Sequence, residues 1–584
     1  MWLYRTPFSV KDQTILDANG NEVRLWGVNY YMPFNHNYIN TKEKGTDHRA
    51  AIDRDIRDFK RLGVQLVRMH LFDREITDFE GNLVNNEHLQ LLDYLMEQLY
   101  RNEIYVMITA IAWWNTVENQ SVLNERYAFW DMSQSTAFGF SNFYPKHALL
   151  WHQGALAAQE RYLNDLFTHK NHLTDKQMPE YDHIVAVEVI NEPAYPKLAD
   201  IERISNIKAD SQKSPVGMNE ILLLDAYGQF LQEKKLAKSD DSIQAFTASC
   251  LNKYLERMFG LVDQYFEKRV VKTHIYYGYK TSAIRDVLKR TKSIDCISLA
   301  FYGGEWNGRH TDPASIIPGH AVRVYKDYFD SKIHELGKAL ICYEWAINCT
   351  TTAFDMAVMA QVMNCLGVQM SAYFTYTPYD VAEYNPGWLM QYFNLYHTPK
   401  RAAAFCAGGE IFRRSPRHHE LPGGDDVWEL DNYVIDAKKD SVVYQNEELY
   451  IHAGSASMPV IGSPKRIIGS GSSPYAEHEG NGLYYLEVIN EKEFELLVLP
   501  DQLYVNDPFH GYYYGFANRY CNINKEPVVS RLKEAGSDFY LKSYKYTVRA
   551  VFRKETDRLI PVPVSAEGCF RADPGNYLIK LEQQ

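Results

Sequence analysis

The sequence predicts a (β/α)8 TIM barrel of the α/β class, followed by a C-terminal β-sandwich. Three observations predict it. Apolar, β-branched runs alternate with amphipathic helical segments eight times, and strict alternation makes a parallel sheet with right-handed crossovers. No G-x-G-x-x-G follows the first strand to mark a doubly wound open sheet instead. Beyond residue 415 helical periodicity fades into short Val-, Tyr- and Phe-rich runs between turns, the texture of a sandwich.

The chain has 584 residues, 46% of them apolar and 23% charged, as in an ordinary globular protein with room for more than one domain. Residues 1–23 form an entry segment with a turn at Asp17–Asn21. The first strand is Arg24–Tyr30. A helix over 48–62 places Ile52, Ile56 and Phe59 on one face, and Gly63 is its natural stop. The strand Val64–Leu71, the helix 86–101 and the strand Ile104–Ala110 follow. Residues 111–153 are a long connection rich in Trp, Phe and Tyr, a composition that argues against disorder. A helix near 155–168 leads to a fourth strand over 184–190, and 194–240 reads as a second insertion.

The remaining units are tighter. Helix 242–268 precedes strand 272–278, helix 281–290 precedes strand 294–300, and helix 319–335 precedes strand 339–343. Helix 353–366 precedes strand 368–376, and a last helix near 398–408 is closed by Gly408 and Gly409. The domains are therefore a barrel over 1–412, with insertions at about 111–153 and 194–240, and a sandwich over 415–584.

The net charge of −12 disfavours nucleic acid as a partner, since phosphate binding needs a basic face. No apolar run approaches the roughly eighteen residues of a membrane span. The N-terminus lacks the basic and apolar regions of a signal peptide, so the expected location is cytoplasmic. The eight cysteines are scattered and read as reduced thiols. No C-x-x-C or H-E-x-x-H pair suggests a metal. Oligomeric state is left open.

The chemistry gathers at two strand tips. Ile184–Ile190 is a buried strand pattern that Pro193 must end, because proline donates no ladder hydrogen bond. Asn191 and Glu192 then lie at its C-terminal end, where such barrels keep their active sites. Ala339–Glu344 is built alike and ends in Glu344. Two carboxylates facing one barrel mouth are what glycoside hydrolysis requires. The rival readings are structural carboxylates in a non-catalytic carbohydrate-binding barrel, or a barrel enzyme of another class with Lys280 as its reactive amine. Glu188 is expected as a buried partner of Arg68. His70, Asp73 and Glu75 follow strand two as sugar or loop contacts. Trp113 and Trp114 are candidates for a stacking platform, and Trp345 for a site-lining ring beside Glu344.

These residues resemble those of the retaining β-glycosidases of glycoside hydrolase clan A, nearest to family 5. Asn191-Glu192-Pro193 falls on the fourth strand and Glu344 on the seventh. Arg68 on strand two and Tyr302 after Ser298-Leu299-Ala300-Phe301 match the family's supporting Arg and Tyr. The chain departs from the pattern at Ala300 and Trp345. The resemblance covers residues 22–412 and implies that Glu344 is the nucleophile, ionised with the help of Arg68 and Tyr302. It further implies that Glu192 is the acid and then the base, that Asn191 contacts the sugar 2-hydroxyl, and that no metal or other cofactor is required. The segment Arg161–Pro193 is similar to the β-mannan-cleaving members, so β-mannosides or β-mannan-type oligosaccharides are the first expectation. β-Glucosides, β-galactosides or an endo-glucanase activity are the alternatives within the clan.

Overall fold

The computed structural model describes residues 2–112, 139–211, 215–276, 281–303, 325–347, 352–383, 393–422, 426–455, 458–506, 528–542 and 546–583. Eight strands close a barrel: β1 (Leu25–Tyr30), β2 (Leu66–His70), β3 (Tyr105–Thr109), β4 (Ile184–Glu188), β5 (Val271–Ile275), β6 (Cys296–Gly303), β7 (Ala339–Ile347) and β8 (Val368–Tyr373). Every pairing around it is parallel, and β8 pairs β1 to complete the ring. The strands read clearly in the sequence because both of their faces are covered, which leaves near-continuous apolar runs.

Alternation of side chains places Leu25, Leu66, Tyr105, Met107, Ile341 and Met370 in the floor of the lumen. Residues two to four positions further along the same strands then line its C-terminal mouth. Outside, helices pack on the other strand face. His48–Leu62 starts at an Asp47 N-cap accepting from Ala50 N and ends at Gly63, whose φ of 70° suits glycine. Glu87–Arg101 starts at an Asn86 cap in the same way. The second insertion folds as two helices, Leu198–Ser211 and Pro215–Lys234.

The last barrel helix departs from the expectation. It runs over Pro399–Arg414, straight through Gly408 and Gly409. A Cβ at Gly408 would stand 2.9 Å from Met356 O, and one at Gly409 2.9 Å from Trp26 Cδ1. These glycines admit close helix packing rather than ending the helix. The helix packs on β1 on one side and on the C-terminal sheet on the other.

The C-terminal region is β-rich. A ten-stranded sheet, over 427–583, faces a three-stranded one made of Ala476–His478, Ser537–Leu541 and Cys569–Ala572. Tyr484, Leu486, Phe539, Phe570 and Ile579 fill the space between them. One pairing in the large sheet, Leu449–Ala453 with Arg466–Ser470, is parallel.

One apolar core runs from the barrel into this region through Trp428, Tyr433, Val442 and Tyr485. Asp440 of the sheet domain accepts hydrogen bonds from Ala353 N at 2.6 Å and Phe354 N at 3.2 Å, and so caps the barrel helix Phe354–Leu366 from across the domain boundary. An antiparallel strand pair, Gln502–Asn506 with Val528–Leu532, reaches the segment after β8. There Ser530 N donates to Glu383 O at 2.9 Å and Arg531 pairs with Glu383 at 2.7 Å. Among the described residues no helix is long and apolar enough to cross a membrane, and the six described cysteines are all unpaired.

Candidate active site

At the C-terminal mouth of the barrel, the Arg68 guanidinium of β2 organises five side chains. Nη1 lies 3.0 Å from Asn29 Oδ1, 2.7 Å from His70 Nε2 and 2.8 Å from Glu344 Oε1. Nη2 lies 2.5 Å from Glu188 Oε1 and 2.9 Å from Asn191 Oδ1. Arg68 is fully buried, and the two carboxylates beside it hold it firmly cationic. The planar fork matches this task, since one guanidinium can donate to several acceptors at fixed angles.

Each partner is itself oriented. Asn29 Nδ2 donates to the carbonyls of Tyr343 at 2.9 Å and Ala372 at 3.0 Å, so its amide oxygen must face Arg68. Glu188 also accepts from Thr109 Oγ1 at 3.1 Å. The His70 ring lies 4.6 Å from that of Tyr31 between centroids, tilted by 33°; burial and the adjacent guanidinium keep it neutral. His70 is buried, and its Nε2 stands 3.8 Å from Glu344 Oε1.

Glu344 reaches the lumen through an irregularity in β7. Ala339, Ile341 and Tyr343 face inward, so strict alternation would turn Glu344 outward. Against β6, Leu299 pairs Cys342 but the next residue, Ala300, pairs Glu344. Against β8, Ser371 pairs Cys342 and Tyr373 pairs Trp345. Between Cys342 and Trp345, β7 thus carries one residue more than the facing stretch of either neighbour, a β-bulge that brings Tyr343 and Glu344 into the lumen together. Tyr302 OH then donates to Glu344 Oε2 at 2.6 Å, so both carboxylate oxygens are engaged.

Glu192 lies beyond the end of β4, which stops at Glu188. Its φ of 40° is in the left-handed region, where a side chain other than glycine's is strained. Asn191 N donates to Ile111 O at 2.9 Å and anchors the turn. The Glu192 carboxyl accepts from Tyr343 OH at 2.8 Å. Burial and the neighbouring Glu192 push Glu344 up, to about 8, against the downward pull of Arg68 and Tyr302. One guanidinium is shared between Glu188 and Glu344, and a third carboxyl, that of Glu192, stands close by.

Lys146, on the short 3-10 turn Lys146–Leu150, lies within electrostatic reach of both Glu192 and Glu344. Desolvation lowers it to about 8 while the carboxylates push it up. Nothing in the aperiodic aromatic connection that carries it singled it out.

Trp345 is elsewhere. Past the bulge it falls on the outer face of β7, wholly buried, 5.0 Å from Trp26 and 4.9 Å edge-on to Tyr373 between ring centroids. It belongs to the packing beneath the last helix. Phe374, at the end of β8, is the ring that stands by the site, 6.1 Å from Tyr302 and 5.8 Å from Tyr31 between centroids. Asp73 accepts from Ser141 N at 3.0 Å and Oγ at 2.9 Å, and Glu75 from Asn35 N at 3.0 Å; both fix loops around the mouth. Trp113, Trp114 and Lys280 lie outside the described residues. Among the described residues no group of three or more His, Cys, Asp and Glu side chains is arranged to hold a metal ion.

No protein-family model matches the chain, and no curated protein matches it. Among solved structures it is similar to an endo-β-1,4-mannanase from Thermotoga petrophila, at 12% identity over 88% of this chain and 98% of that one, with a TM-score of 0.43. An exo-β-1,4-mannosidase from Opitutaceae bacterium strain TAV5 is 12% identical over 69% and 61% of the two chains, with a TM-score of 0.45. A β-galactosidase from the psychrophilic Marinomonas ef1 is 11% identical over 66% and 59%, with a TM-score of 0.39. No activity follows from likenesses at this level. The barrel rests on its own strand pairing and the site on its own geometry.

Proposed function

We propose that this protein is a retaining β-glycoside hydrolase, with Glu344 as nucleophile and Glu192 as acid/base. One observation carries the reading: two carboxyls share the mouth of a closed barrel but stand in different hydrogen-bond settings. Glu344 has a donor on each oxygen, one of them a cation, and this is the setting of a carboxylate held for attack. Among the described residues Glu192 has a single neutral donor, and it is only partly buried, as suits a group that gives up and regains a proton.

In the first step a Glu344 oxygen bonds to the anomeric carbon while the Glu192 proton passes to the departing glycosidic oxygen. In the second, Glu192 takes a proton from water, whose oxygen displaces Glu344. Asn191, held through Oδ1 by Arg68, has the role of contacting the sugar 2-hydroxyl in this proposal. The substrate proposed first is a β-mannoside or β-mannan-type oligosaccharide, on the similarity of Arg161–Pro193 to mannan-cleaving chains. β-Glucosides and β-galactosides come next.

The test is a panel of p-nitrophenyl β-D-glycosides (manno, gluco, galacto, xylo), followed by β-1,4-linked polysaccharides, with Glu344→Gln as control. Release from one sugar, abolished by Glu344→Gln, is expected. No release from any of them would point to a carbohydrate-binding barrel instead.

A further inference from the structure

The bulge in β7 delivers two side chains to the lumen, and the proposed mechanism uses only one. Tyr343 is fully buried, with the Arg68 guanidinium carbon 4.8 Å from its ring centroid. Its ring is fixed between the barrel floor and that cation, so its hydroxyl is aimed before any ligand arrives. The hydroxyl meets Glu192 Oε1 at 2.8 Å. Glu192 needs such a contact. It extends from a loop beyond the strand end, is not fully buried, and has several rotatable bonds.

We propose that Tyr343 is the positioning residue for the acid/base carboxyl: by donating to Oε1 it leaves Oε2 to carry the catalytic proton and aims that oxygen at the glycosidic bond. This rests on the glycosidase reading above. In glycosylation the Oε2–H bond breaks and its proton goes to the leaving-group oxygen, as a Glu344 oxygen bonds to the anomeric carbon. In deglycosylation Oε2 takes a proton from the attacking water and the Glu344 ester bond breaks. Tyr343 keeps its own proton throughout, its phenol held well above the ordinary range by burial and the two glutamates. It donates to Oε1 in every state, and a rigid donor is worth most where misplacement by an ångström is costly.

The groups that face Glu192 are Tyr343 and Glu344 from β7, Tyr302 from β6, Glu188 from β4 and Lys146 from the 3-10 turn. Of these, Tyr343 is the one that donates a hydrogen bond to it among the described residues.

The experiment uses Tyr343→Phe in the full chain, with aryl β-glycosides of graded leaving-group acidity. Phenylalanine keeps the ring under Arg68 and removes only the donor. For a poor leaving group, which needs the acid, kcat/KM falls about tenfold; for 2,4-dinitrophenolate, which does not, kcat/KM stays within about twofold. The alkaline limb of the pH profile moves up, because the carboxylate form of Glu192 has lost its donor. In a Glu192→Ala background rescued with azide, Tyr343→Phe has no further effect. If the variant folds poorly, the ratio between the two leaving groups still reads the effect, since loss of folded protein lowers both alike. Site-specific 3-fluorotyrosine at position 343, a stronger donor, moves the alkaline limb down. An equal loss across leaving groups with an unmoved profile, or an undiminished loss in the Glu192→Ala background, overturns the proposal. Activity that survives Glu344→Gln, or no activity in the unaltered protein, overturns the glycosidase reading and takes this proposal with it.

Discussion

Arg68 donates to Glu188 at 2.5 Å while its other terminal nitrogen reaches Glu344 at 2.8 Å, so the charge that would ionise the proposed nucleophile is divided with a second buried acid. Both carboxyls are raised by burial and lowered by the same guanidinium. Glu188 therefore competes with Glu344 for stabilisation.

Glu188→Gln removes that competitor and keeps the side chain's shape. Arg68 then serves Glu344 alone, which favours the Glu344 carboxylate. The acidic limb of kcat/KM, set by the need for an ionised nucleophile, moves to lower pH. A limb that stays in place, or moves up, contradicts the sharing.

A second acidic pair should shape the pH dependence of stability. Asp55 is buried on the helix His48–Leu62, where it accepts from Tyr30 OH at 2.6 Å and Tyr379 N at 3.0 Å. Burial raises it to about 8 and its neighbour Asp58 to about 7. The unfolded chain ionises these acids near pH 4, whereas the native chain holds their protons longer, so native protein binds more protons across pH 4–8. Stability must then fall as pH rises through that window. Asp55→Asn cannot ionise; its amide oxygen can accept from Tyr379 N and its amide nitrogen can donate to the Tyr30 oxygen. The variant should melt with the unaltered protein at pH 4 and above it at pH 8. The gap should be on the order of a few kcal/mol, at about 1.4 kcal/mol for each tenfold change in proton affinity. Melting curves at the two pH values check it, and a constant gap would contradict it.

Gly408 and Gly409 separate two explanations of one dipeptide. If they only ended a helix, alanine would be tolerated or even stabilising, by up to about 1 kcal/mol for a helical position. Because Met356 O and Trp26 stand 2.9 Å from the added Cβ positions, overpacking should prevail. Gly408→Ala and Gly409→Ala should each lose about 1–3 kcal/mol in urea unfolding.

Trp345 adjoins Glu344 in sequence and faces away from it in space. Trp345→Ala should cost about 3–5 kcal/mol of stability by emptying the space between Trp26 and Tyr373. Trp345→Phe should cost less and leave KM for the sugar unchanged. A raised KM with unaltered stability would return Trp345 to the site.

These cases show what the sequence could carry. The barrel was legible because a strand covered on both faces writes itself as an apolar run, as Ile184–Glu188 does, and because helices such as His48–Leu62 show one apolar face. The pairing of Arg68 with Glu188 could be read from charge inside such runs. The bulge could not, since one extra residue leaves no mark in hydrophobic pattern, yet it decides that Tyr343 and Glu344 enter the lumen and Trp345 leaves it. Lys146 was hidden for another reason: the connection before it has no periodicity to show which way a side chain points. Gly408 and Gly409 were misread because chain-ending and close-packing glycines look alike until the neighbouring helix is known.

The most direct test of the central claim is to trap the nucleophile. The protein is incubated with a 2-deoxy-2-fluoro-β-glycosyl fluoride of whichever sugar it hydrolyses, digested with pepsin, and its labelled peptide sequenced by mass spectrometry. A fluoroglycosyl ester on Glu344, absent from Glu344→Gln, is the predicted result. A label on another residue, or inactivation-free hydrolysis with inverted anomeric configuration, would contradict the account.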